Sequence, residues 1–141
     1  MIASEQTDAV LPREAAPFGR AEATLLFAIR RTAIAGLNDA HATNAFLGLF
    51  GMSYRRPLVL LRALMAELAR ASAQTIHVSP CCCMRMTSAE AAILRAVALA
   101  PSDLRAAHAQ LLSVLGTFDC LGAVSSAQAL GQAFADCGRP L

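Results

Sequence analysis

The segment Pro57-Leu58-Val59-Leu60-Leu61-Arg62-Ala63-Leu64-Met65-Ala66-Glu67-Leu68-Ala69-Arg70-Ala71 decides the fold class. Leu58, Leu61, Leu64, Met65 and Leu68 recur at helical spacing, so they share one face, while Arg62, Glu67 and Arg70 fall opposite. Pro57 suits a first helical turn, where its missing N–H costs nothing. The pattern predicts an amphipathic helix ending near residue 71.

The same reading extends outward. A helix over 21–35 is predicted from Leu25, Leu26, Ile29 and Ala33, with Gly36 as its left-handed stop. Asn38 or Asp39 then caps a helix over 39–50 whose stripe is Ala42, Ala45, Phe46, Leu49 and Phe50. Thr87 and Glu90 form a Thr-x-x-Glu capping box that opens a helix over 88–100, broken by Pro101. Ser102 is the expected cap of a helix over 103–115, with a stripe of Leu104, Ala107, His108, Leu111, Leu112 and Leu115. Ser125 or Ser126 caps a last helix over 127–137, closed by Gly138. Thr75-Ile76-His77-Val78 alternates like a strand, but one four-residue strand makes no sheet, so an extended loop is expected. The fold class is therefore all-α, an irregular bundle or orthogonal array of five to six helices. Residues 1–20 carry Pro12, Pro17, Gly19 and scattered charge and are expected to be a flexible arm. Residues 21–141 form a single helical domain.

Composition bounds the function. The chain has 141 residues, 56% hydrophobic and 16% charged, with a net charge of +2. Such a chain buries a core without a metal or disulfide staple and is not disordered. The charge is too small to imply nucleic acid or an anionic membrane. Every basic residue is arginine, which excludes mechanisms that need a lysine. The longest uncharged run, Cys120 to Ala135, is interrupted by Ser125, Ser126, Gln128 and Gln132, so no membrane span is expected. The N-terminus carries Glu5 and Asp8 and has no apolar leader, which points to the cytoplasm. The five cysteines are then expected as reduced thiols.

One segment is chemically unusual. Cys81-Cys82-Cys83-Met84-Arg85-Met86 places five sulfur atoms within six residues. Soft sulfur ligands suit zinc or Cu(I). In an extended segment Cys81 and Cys83 point to one side and Cys82 to the other. A metal site would comprise Cys81, Cys82 and Cys83 with His77 or Met86 as auxiliaries. The spacing matches neither zinc knuckles nor ferredoxin patterns, and no second knuckle exists. Two other readings stand beside it. The thiols are a redox or reactive site, or they are an apolar plug, since cysteine packs as a small hydrophobe. The segment is read as a loop before the helix at 88; a helical turn starting at Ser79-Pro80 is the alternative.

The remaining polar clusters have plainer readings. His41 among Asn38, Asp39 and Asn44 fits helix-start chemistry better than a nucleophilic device. His108 is expected inside the core. Arg30-Arg31 and Arg55-Arg56 read as solvated surface rather than an anion-binding patch. The two helices around Pro101 offer too few polar contacts for a DNA-reading pair. Phosphate-loop, dinucleotide, zinc-protease and nucleophile-elbow motifs are all missing.

The segments Leu25-Leu26-Phe27-Ala28-Ile29-Arg30-Arg31, Gly36-Leu37-Asn38-Asp39-Ala40-His41, Arg56-Pro57-Leu58 and Pro80-Cys81-Cys82-Cys83 with Met86-Thr87 resemble a family of small alphaproteobacterial proteins of unknown function. The resemblance covers most of the chain after residue 20. It implies a bacterial origin and brings no activity, cofactor or site. The expected function is a non-enzymatic helical interaction or regulatory module, a homo-oligomer or the binder of a protein partner, with no cofactor. The alternative is a soft-metal or thiol-redox sensor using Cys81, Cys82 and Cys83 with zinc or Cu(I). No nucleic-acid or membrane partner is expected.

Overall fold

A computed structural model describes residues 2–4, 13–15 and 19–141. Six α-helices dominate the described residues: α1 Arg20–Ala35, α2 Ala40–Phe50, α3 Arg55–Ala71, α4 Ser88–Leu99, α5 Leu104–Leu115 and α6 Leu121–Asp136. A single 3-10 turn, Gly51–Ser53, links α2 to α3. The fold is all-α. Its helices pair mainly as α1 with α2, α3 with α6, and α4 with α5, and α4 also packs on α6.

Caps set most boundaries. Asp39 accepts the Ala42 N–H at 3.0 Å and starts α2. The Thr87–Glu90 capping box is complete and starts α4. Gly36, at φ 100°, stops α1 in backbone space that a side chain disfavours. The α3 stripe is buried as its spacing requires, at Leu58, Leu61, Leu64, Met65 and Leu68.

Helices α3 and α6 run antiparallel, because Arg56 at the start of one reaches Asp136 at the end of the other at 3.3 Å. Phe46, Phe50 and Phe134 close the α2–α6 end of the core as an edge-to-face trio with centroids 4.9–5.8 Å apart. At the α4–α6 crossing, a Cβ on Gly131 would stand 2.3 Å from the Val97 carbonyl oxygen. Only glycine permits that approach.

The structure departs from the sequence reading in four places. Ile76–Val78 is strand β3 rather than a loop, and Arg85–Thr87 is a further strand, β4. Their partners are Ile2–Ser4 (β1), parallel to β3, and Arg13–Ala15 (β2), antiparallel to β4. Two segments of the stretch expected as an arm are thus paired; residues 5–12 and 16–18 lie outside the described residues. Secondly, α6 begins at Leu121, not near 127. Its buried stripe, Ala123, Val124, Ala127, Leu130 and Phe134, runs back past the serines, so packing overrides their preference for a cap. Thirdly, Asp103 rather than Ser102 caps α5, accepting the Ala106 N–H at 3.0 Å. Fourthly, the buried face of α5 is Ala107, Leu111, Val114 and Leu115. Leu104 is exposed at the helix tip and His108 is half-buried rather than in the core.

Candidate functional site

The candidate site grows from two charged residues set among apolar ones. Arg30 follows Ala28 and Ile29 on the buried face of α1, and Glu90 precedes the buried run Ala91 to Leu94 on α4. Their side chains are 3% and 0% exposed. The Arg30 Nε donates to Glu90 Oε1 at 3.1 Å and its Nη2 to Oε2 at 2.9 Å. This is the bidentate fork that guanidinium and carboxylate planes favour. The sequence reading had put Arg30 on the solvated surface. In the fold it occupies the core, where burial demands a fully satisfied partner.

The remaining hydrogen-bonding capacity of the pair goes to the loop between β3 and α4. Arg30 Nη1 donates to the Cys83 carbonyl at 2.9 Å and Nη2 to the Arg85 carbonyl at 2.8 Å. Glu90 accepts the backbone N–H of Ser79 and, at 3.1 Å, that of Thr87. Thr87 Oγ1 donates to the His77 carbonyl at 2.7 Å while accepting the Glu90 N–H at 3.1 Å. Four backbone groups spread over 79–87 are therefore fixed by one buried ion pair. The Ser79 hydroxyl beside it is buried without a partner among the described residues.

Within that clamp the cysteines occupy a tight turn. The Cys83 N–H donates to the Pro80 carbonyl at 3.0 Å, so Cys81 and Cys82 are its central residues. The loop reading of the segment holds, with a turn in place of an extended strand. Cys82 is exposed, whereas Cys81 and Cys83 are half-buried, and none is disulfide-bonded. Cys81 and Cys83 line one cavity of about 230 Å³ together with Ala23, Leu26, Phe27, Arg30 and Met84.

A second ion pair lies near the thiols. Arg31, next to Arg30 in α1, pairs with Asp39 at 2.8 Å, and Cys81 adds to the rise in its pKa. The pairing with Asp39 raises the Arg31 pKa and holds the Asp39 carboxyl down to about 2. Asp39 thus spends its oxygens on Arg31 and the α2 cap, which is the helix-start role expected of the His41 cluster; His41 itself is exposed. Arg55 lies over the Tyr54 ring at 6.0 Å and Arg56 pairs with Asp136, both at the surface as expected.

Two expected auxiliaries stand apart from the thiols. His77 lines a different cavity, of about 310 Å³, with Gln74, Thr87, Ser88 and Ser113. Alternation along β3 turns it away from the buried Ile76 and Val78. Met86 is buried in the hydrophobic core. The sulfur that does join Cys81 and Cys83 is Met84, 81% exposed. Met84, rather than the expected Met86, is thus the methionine beside the two thiols. Among the described residues no three of His, Cys, Asp and Glu are grouped to hold a metal ion. Among them, too, no helix is long and apolar enough to cross a membrane.

Fold and site together define the class, a small all-α protein carrying a clamped thiol turn. A family model described as "Family of unknown function (DUF6628)" matches residues 3–138, and the chain belongs to that family. No curated protein and no solved structure matches the chain.

Proposed function

We propose that the chain is a non-enzymatic thiol module, a helical scaffold whose working surface is the Cys81–Cys83 turn and which binds soft, thiol-seeking ligands. One observation carries this reading. The Arg30–Glu90 pair spends its spare hydrogen bonds on the backbone around the turn. Buried ion pairs contribute little net stability compared with apolar residues of the same size. What this one supplies is a fixed loop conformation, as a preorganised binding site needs. In a reducing bacterial cytoplasm the thiols stay available for a ligand.

Titration with a small aromatic disulfide reads the proposal. The expected result is rapid reaction of the triplet in the folded protein, led by Cys82, with Cys120 protected. A triplet silent until denaturation contradicts it.

A second reading, a protein-interaction module that self-associates, is favoured by one apolar groove. It has a volume of about 400 Å³ and is lined by Ala33, Leu37, Met65, Ala66 and Ala69. Ile34 and Leu37 are exposed beside it. Exposed apolar surface of this kind favours association. Light scattering at micromolar concentration tests this reading. A dimer abolished by Leu37→Glu supports it, and a monodisperse monomer contradicts it.

A further inference from the structure

We infer that Cys81, Cys83 and Met84 form a binding site for a monovalent soft metal cation of the Cu(I) type, with Cys82 outside the ligand set. The inference rests on the thiol-module reading and goes further by naming the ligand and the residues that hold it.

Convergence is the first observation. Cys81, Cys83 and Met84 line the same cavity, while Cys82, between them in sequence, does not. The turn closed by the Cys83 N–H and the Pro80 carbonyl presents both residues to that cavity. Its conformation is held from below through the Cys83 and Arg85 carbonyls, so the thiols need little ordering to converge.

Ligand number is the second. Two thiolates and a thioether make a soft, low-coordinate set, which suits Cu(I). Zinc takes four ligands in a closed site. Two further hard or borderline donors would be needed, and the expected one, His77, lines another cavity. Among the described residues no Asp or Glu lines the thiol cavity either.

Charge is the third. Two thiols that bind one monovalent cation release two protons, and the resulting bis-thiolate complex carries one negative charge. Arg30 lines the cavity and Cys81 influences the neighbouring Arg31, each guanidinium being paired with a carboxylate, Glu90 and Asp39. The Phe27, Leu26 and Ala23 wall limits water at the metal.

The experiment titrates the full chain anaerobically with Cu(I), supplied as its acetonitrile complex, against a chromophoric Cu(I) chelator. A parallel titration uses Zn(II) against a zinc dye. The expected result is one Cu(I) per chain with about two protons released per metal in weak buffer. Loss of a supporting second-shell partner typically weakens metal sites about 10–100-fold, so Cys81→Ser and Cys83→Ser should each cost at least about 100-fold. Met84→Leu should cost about tenfold by the same scale. Cys82→Ser should leave affinity unchanged. Proton release is read on the unaltered protein, so it stands even if a variant folds poorly. Zn(II) held as tightly as Cu(I), or a Cys82→Ser loss equal to that of Cys83→Ser, overturns the inference. Rapidly labelled thiols that take up no Cu(I) also overturn it while leaving the thiol-module reading intact. Thiols silent to the disulfide probe remove both.

Discussion

Arg30 and Glu90 lie 60 positions apart in the chain, yet their side chains meet in a two-point ion pair from which solvent is excluded. Removing one partner strands the other charge in the core. Arg30→Met or Glu90→Leu alone should destabilise the protein by about 3–5 kcal/mol, measured by urea or guanidinium unfolding. A loss below about 1 kcal/mol would show that water reaches the pair in solution.

Gly131 marks the closest helix approach. A methyl group there would meet the Val97 carbonyl oxygen, part of the backbone of α4. Gly131→Ala should therefore cost about 1–3 kcal/mol, although alanine is the better helix former. Gly48, inside α2, has open space around its Cβ position. Gly48→Ala should stabilise, and the opposite signs of the two substitutions in thermal unfolding check the packing.

Asp39 gives the acid response. Its carboxyl is held at about 2, from an ordinary 3.8, first by the Arg31 hydrogen bond. A depressed carboxyl stabilises the fold above its unfolded pKa and loses that contribution as pH falls through the folded value. The melting temperature should thus decline between about pH 4 and pH 2 through this group. Asp39→Asn keeps a capping oxygen and loses only the ion pair, so it should melt between the wild type and Asp39→Ala at pH 7. Its deficit should shrink toward pH 2, where about half of the native carboxyl is protonated, and vanish below that pH.

Cys120 is the internal control for thiol chemistry. It is buried, and burial pushes its pKa up, with Asp119 adding to the rise. Thiolate is the reacting form, so both effects slow it. Labelling of Cys120 should follow opening of the α6 N-terminus and accelerate with denaturant. Labelling of Cys82 should not change until the fold is lost. Equal rates for the two in native buffer would contradict the placement of the turn.

The helices were legible because their signals are local. Gly36, Asp39, the Thr87–Glu90 box and the Leu58–Leu68 stripe each fix a boundary or a face within a turn or two. The strands were not, since Ile76–Val78 needs Ile2–Ser4 and Arg85–Thr87 needs Arg13–Ala15. Of the site, alternation along an extended segment put Cys81 and Cys83 on one side, whereas a turn is what sets both at one cavity. The clamp was hidden because its halves sit on different helices. A faint signal existed, for Arg30 follows Ala28 and Ile29 and Glu90 opens an apolar run, in a chain with only 16% charged residues. A charge placed on an apolar face asks for a partner, and sequence alone does not say where the partner is.

The central claim is that the buried pair exists to hold the thiol turn rather than to stabilise the bundle. Amide hydrogen exchange on the double variant Arg30→Met with Glu90→Leu tests it most directly. Apolar residues of similar size often replace a buried pair with little loss of stability. The account predicts a double variant close to wild type in global stability, with protected helices. Residues 79–87 should nevertheless exchange far faster, the Ser79 and Thr87 amides above all. A stable double variant in which those two amides stay as protected as in the wild type would contradict it.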